Sequence, residues 1–274
     1  MGKVRYSKVN FDGRVMKVVQ RSEVGVASTK QKDHPPASDF VVDRLDVSKT
    51  MHAIGMVAEQ VGPCERVLEP YGGAGWHAHY VKKYCNPKNH HVYDISQDCV
   101  DSTILTWGNE VKAKVKDARK LNFKDGYFDW IHSDFQSWTL MRQASGKDDH
   151  IADTVPNFFR MSKRFVSITD SGIFGVLRFP KNRVAYQREF GMDVDNWQDY
   201  FRIIDEYFQK TFGIKAVYAV WWAGQAGSIL FDKQASMDQK LVVEHAEIKT
   251  VIGVPTSKFI SEEKCQRLLA KALS

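Results

Sequence analysis

The segment Val67-Leu68-Glu69-Pro70-Tyr71-Gly72-Gly73-Ala74-Gly75 places three glycines within four positions, directly after a short apolar run that ends in an acid. Without a Cβ, glycine turns tightly and lets the backbone approach a neighbour or a ligand. A strand that breaks into such a turn and resumes as a helix is the opening of a β-turn-α unit, the building block of α/β proteins. This one feature excludes all-helical and all-strand architectures more firmly than any average over the chain.

The remaining pattern agrees with that unit. Arg44 to Val61 carries apolar residues at helical spacing, and Gly62-Pro63 ends it. After the glycine turn come a helix over Trp76 to Tyr84, a strand over His91 to Ile95, a helix over Cys99 to Trp107 and a strand over Lys112 to Val115. A strand over Phe128 to His132, a helix over Asp153 to Ser162 and a strand over Arg164 to Thr169 follow. The amphipathic stretch Asn196 to Phe212 predicts a long helix, and Ala216 to Ala223 with Ser228 to Asp232 predict a hairpin. The expected fold is α/β: a doubly wound, mostly parallel seven-stranded sheet with an antiparallel edge hairpin. Val4 to Val19 alternates around Asp12-Gly13 and predicts a further, N-terminal β-hairpin. The division expected is an N-terminal hairpin and loop over 1–40, then one domain over 41–274 that closes with a short strand (Ile248 to Ile252) and a helix.

Acids recur where strands end. Asp94 closes Val92-Tyr93-Asp94, 25 residues after Glu69, and a carboxylate there accepts hydrogen bonds from ribose hydroxyls in dinucleotide-binding folds. A dinucleotide fingerprint reads G-x-G-x-x-G, whereas this turn reads G-G-x-G behind an acid. That segment resembles the first motif of class I S-adenosylmethionine-dependent methyltransferases. The resemblance implies that Glu69, Tyr71, Gly72, Gly73 and Gly75 surround the methionine end of S-adenosyl-L-methionine, and that Asp94 takes the ribose. Asp117-Ala118 is similar to the acid-small pair that meets the adenine amine in that family. Phe128-Asp129-Trp130-Ile131-His132 resembles the family's fourth strand, with Asp134, Phe135 and Trp138 following it. There is a fainter similarity to nucleic-acid amino-methyltransferases, without the prolines of their D-P-P-Y motif. It implies that Asp134 orients an exocyclic amine while Phe135 and Trp138 line the pocket of an extruded base.

Composition narrows the partners. A net charge of +6 and a pI near 9.0 suit a polyanion such as DNA or RNA. Arg178, Lys181, Arg183 and Arg188, around Pro180, form one candidate phosphate-gripping loop, with a solvated loop as the alternative. Four scattered cysteines lack paired spacing, so no metal site is expected. No apolar run approaches bilayer length, and Met1 to Tyr6 lacks the apolar core of a secretory signal, so the expectation is a cytoplasmic protein away from membranes. The enzymatic alternatives are a small-molecule or protein methyltransferase. A third reading keeps the fold for binding alone, because fold does not fix function. His77, His79, His90 and His91 read as a helix face and a loop.

Overall fold

The computed structural model describes residues 3–21, 47–133, 154–170, 196–222, 226–246 and 256–274. Helix α1 (Val47–Val61) precedes β3 (Arg66–Glu69), and the glycine turn leads into α2 (Ala78–Tyr80), which widens into a π turn over Val81–Cys85. Then come β4 (Asn89–Asp94), α3 (Gln97–Trp107), β5 (Lys112–Val115), β6 (Phe128–Ser133), α4 (Thr154–Met161) and β7 (Ser162–Asp170). The series ends with α5 (Trp197–Phe212), β8 (Lys215–Trp222), β9 (Ala226–Asp232) and β10 (Val242–His245).

These strands form one sheet in the order β10-β8-β9-β7-β6-β3-β4-β5, parallel throughout except for the two pairings of β9. The expected seven strands are present with their antiparallel hairpin, and β10 adds an eighth outside β8. The strand expected at 248–252 lies outside the described residues. The chain winds outward from β3 through β4 to β5, then crosses back to β6 on the other side of β3. Between β3 and β6 the winding reverses, and a crevice opens at the carboxyl ends of strands at such a point.

Interior parallel strands are covered on both faces, which is why they read as apolar runs. Val67, Leu68, Trp130, Ile131, Val166 and Ile168 are all buried. One face packs on Phe158 of α4 and on Phe201 and Phe208 of α5; the other packs on Val57 and Ala58 of α1. Helix α5 starts where the Asn196 side chain accepts from the Asp199 N–H at 2.9 Å and stops at Gly213, whose φ of +65° suits a left-handed C-cap.

A second sheet, β11-β1-β2, joins the two ends of the chain. Strands β1 (Lys3–Phe11) and β2 (Arg14–Arg21) pair around Asp12 and Gly13, both at positive φ as a two-residue hairpin turn of this hand requires. Strand β11 (Thr256–Ser261) lies antiparallel to β1 and runs into α6 (Glu262–Leu273). The hairpin expected at the start of the chain is thus extended by a strand from 256–261.

The outer edge of β2 is sealed by α3. The backbone N–H groups of Lys17, Val19 and Arg21 donate to Thr106 Oγ1 (2.9 Å), Ser102 Oγ (3.0 Å) and Asp98 Oδ2 (2.9 Å). The match is geometric: four residues of helix advance about 6 Å and two residues of strand slightly more, so a row of i, i+4, i+8 side chains meets every second N–H. An edge that would otherwise invite pairing with another chain is satisfied internally.

Candidate functional site

Because β3, β4, β5, β6, β7, β8 and β10 run the same way, their carboxyl ends share one edge of the sheet. The glycine turn sits on that edge, and each of three glycines has its own reason to lack a side chain. A Cβ on Gly72 would lie 2.3 Å from Val92 Cγ1, while its N–H donates to the Tyr93 carbonyl at 2.8 Å. Gly75, at φ +76°, leaves only 3.0 Å to Thr103 Oγ1, and its carbonyl accepts from the Trp107 indole N–H at 2.8 Å. Gly73 differs. Its φ is +52°, yet a Cβ there would meet nothing within 4 Å. The loop is closed against β4 and α3 on two sides and open at Gly73.

Asp94 orders that open side. Its Oδ2 accepts from the Gly73 N–H at 3.0 Å and its Oδ1 from the Ser96 N–H at 2.8 Å. Burial raises its pKa, and these amide donors offset only part of the rise. The next residue, Ile95, is 50% exposed, which is unusual for an aliphatic side chain between a strand and a helix. Strand β5 reaches the same place, since the Lys116 N–H donates to the Asp94 carbonyl at 2.9 Å. One residue on, Asp117 caps the turn Ala118–Lys120 and holds the Arg119 guanidinium at 2.6 Å, which keeps its carboxyl below the usual range. Ala118 is buried beside it.

Glu69 lies beneath the loop with no exposure at all. Its Oε1 is hydrogen-bonded to His90 Nε2, and its Oε2 lies 3.5 Å from His77 Nδ1. Burial alone would push its pKa up, but the two imidazoles outweigh burial and bring it down to about 2. The polar line continues across the sheet: the His77 ring lies 5.1 Å from that of His132, and His132 Nδ1 is 2.8 Å from Ser167 Oγ, which also accepts from Trp130 Nε1 at 2.9 Å. The strand register explains the line, since His90 is level with Val67, Val67 with Trp130, and His132 with Ser167, on one face. His77, His90 and His91, expected on a helix face and in a loop, are all buried, His90 and His91 within β4. A histidine inside an apolar strand, at the inward register of Val67, was the available signal.

The structure brings Tyr71, Gly72, Gly73, Gly75, Asp94, Asp117 and Ala118 to one edge, with Glu69 under them. Tyr71 is half-buried, its ring 6.3 Å from that of Phe158. Strand β6 ends at Ser133 on the same edge. Asp134, Phe135 and Trp138 lie outside the described residues, as do Arg178, Lys181, Arg183 and Arg188. Farther along the edge, Trp221 stacks on Trp197 at 5.9 Å and meets His245 of β10 at 4.2 Å. Among the described residues no cluster of His, Cys, Asp and Glu is arranged to hold a metal ion, and no helix is long and apolar enough to cross a membrane.

No protein-family model and no curated protein matches the sequence. Among solved structures, the chain is similar to a SAM-dependent methyltransferase from Aquifex aeolicus at 15% identity and a TM-score of 0.44, covering 70% of this chain and 94% of that one. It is similar to the N-methyltransferase NodS from Bradyrhizobium japonicum at 13% identity and a TM-score of 0.47, covering 70% and 100%. A third is the magnesium protoporphyrin IX methyltransferase from Synechocystis, solved with bound SAM, at 14% identity and a TM-score of 0.43, covering 70% and 82%.

Proposed function

We propose that this chain is an S-adenosylmethionine-dependent methyltransferase whose acceptor is an exocyclic amine of a nucleic-acid base. The observation that carries the reading is the Gly73–Asp94 pair. At the carboxyl edge of the sheet, beside the strand where its winding reverses, a left-handed glycine opens onto free space and donates its N–H to the carboxylate that ends β4.

The residues fit the cofactor. The Asp94 carboxylate is held in place by the backbone N–H groups of Gly73 and Ser96, and so is oriented to accept ribose hydroxyls. Ile95 supplies exposed apolar surface for an adenine ring, and Asp117 with Ala118 supply the polar and small neighbours of its amine. The open face of Gly73, with Tyr71, Gly72 and Gly75, takes the methionine end. Glu69, fully buried, serves that end from beneath by fixing the loop. The bound cofactor supplies an activated sulfonium methyl. The chain's part is to exclude water and align the acceptor. Asp134 orients the amine, and Phe135 and Trp138 line its pocket.

Calorimetry with S-adenosylhomocysteine tests the first half, with binding expected for the wild type and sharply weakened in Asp94→Ala. Labelled cofactor offered with separate DNA, RNA and protein pools tests the second. Transfer to protein alone refutes the acceptor, and absence of cofactor binding at millimolar ligand refutes the whole reading.

A further inference from the structure

We propose that the β11-β1-β2 sheet is a docking platform for single-stranded nucleic acid, an inference that rests on the nucleic-acid acceptor proposed above. Residues 3–21 and 256–274 contain ten Lys and Arg against three Asp and Glu, a net of +7. The whole chain carries +6, so everything outside these two segments sums to −1. The basic character of the protein resides in these two segments, and the three strands of the sheet hold seven of the ten cations. Some of it is neutralised locally: Arg21 binds Asp98, Asp101 and Glu262, and Arg14 pairs with Glu110.

The cross-strand register shows what the sheet presents. Phe259 lies opposite Arg5, which lies opposite Gln20, while Lys3 faces Ser261 and Ser7 faces Ser257. Lys3, Arg5, Gln20, Ser257 and Ser261 therefore surround Phe259 on one face. Phe259 is 66% exposed, the most exposed large apolar side chain among the described residues. A lone aromatic ring held out on a strand and ringed by cations and hydroxyls matches the chemistry of single-strand recognition, in which bases stack on the ring and cations track the phosphates. A duplex keeps its base faces stacked internally and offers nothing to such a ring.

The platform is also placed to deliver a strand. Arg21, level with Val4 and so at the Lys3–Arg5 end of the sheet, binds Asp98 in the first turn of α3. Asp98 follows Asp94 by four residues. The platform end thus adjoins the edge that carries the proposed cofactor site.

Fluorescence anisotropy with short labelled oligothymidylate and oligouridylate tests this, the two arms separating DNA from RNA. Phe259→Ala should weaken binding about tenfold, and Phe259→Trp should restore it, because stacking rather than shape is lost. Lys3→Gln combined with Arg5→Gln should reduce the slope of log affinity against log salt by about 0.7 per contact removed. Unchanged binding in both variants, equal competition by a duplex, or binding to anionic lipid vesicles alone would overturn the proposal. Calorimetry with S-adenosylhomocysteine on the same preparations separates the two readings. Cofactor heat without oligonucleotide binding refutes the platform only. Phe259-dependent oligonucleotide binding without cofactor heat refutes the methyltransferase reading only.

Discussion

Glu69 and Asp94 occupy equivalent places in neighbouring parallel strands, each the last residue of its strand, and they are used in opposite ways. Glu69 is sealed from solvent and faced by two imidazoles, whereas Asp94 stands partly buried at the rim, held by backbone N–H groups. Their acidities diverge accordingly: the imidazoles bring Glu69 down to about 2, and burial raises Asp94. An acid at the end of a strand is therefore either a fastener of the loop or a contact for a ligand. Which one it is depends on what the next strand and the following turn place beside it.

The largest expected effect concerns the fastener. Glu69→Gln removes the buried carboxylate that both imidazoles face, and breaking a buried pair in this way costs about 3–5 kcal/mol. Urea unfolding reads it directly, and a loss near zero would mean that the cluster is not an ion pair. Next is Gly72→Ala, where the new methyl meets Val92 Cγ1; overpacking of this kind costs about 1–3 kcal/mol. Gly73→Ala meets no atom and pays only for its left-handed φ, about 1–2 kcal/mol. It should lose cofactor affinity out of proportion to that cost. Equal affinity losses in the two glycine variants would erase the distinction between the closed and open sides of the loop.

A pH series sharpens the comparison further. The folded-state pKa of Glu69 lies below its ordinary 4.5, so its stabilisation is complete above that value and fades as pH falls from about 4.5 toward about 2. Asp94 has the opposite sign: its raised pKa favours the protonated folded state, so its contribution declines as pH rises through the folded value. Urea midpoints between pH 5 and pH 3 should fall for the wild type and flatten in Glu69→Gln. The smallest stability change belongs to Asp94→Asn, in which removal of an unfavourably buried charge offsets the loss of one backbone N–H contact, because the single amide oxygen accepts from Gly73 or from Ser96 but not from both. Its melting temperature should barely move while its affinity for S-adenosylhomocysteine falls.

Much of the sheet was legible because interior parallel strands must be apolar and glycine turns must punctuate them. The glycine turn, Asp94 and Asp117 were visible as motifs for the same reason. The buried histidines were not, since their proximity to Glu69 comes from strand register rather than spacing. His90 lies 21 residues from Glu69 and His132 lies 63 away. The partner of the N-terminal hairpin was hidden too, because β1 pairs with a strand some 250 residues downstream (Ser7 with Ser257), and no local pattern encodes a contact that distant.

By itself, the sequence determined the periodicities, the turn chemistry and the positions of strand-ending acids, all of which depend on neighbours within a few residues. Tertiary structure decided which acid is sealed beneath the loop and which stands at its partly buried rim, and that among the glycines of that loop Gly73 is the open one. It also joined the two basic segments through one sheet. Each of these depends on strand order, register and helix docking, which bring distant residues within a few ångströms of one another.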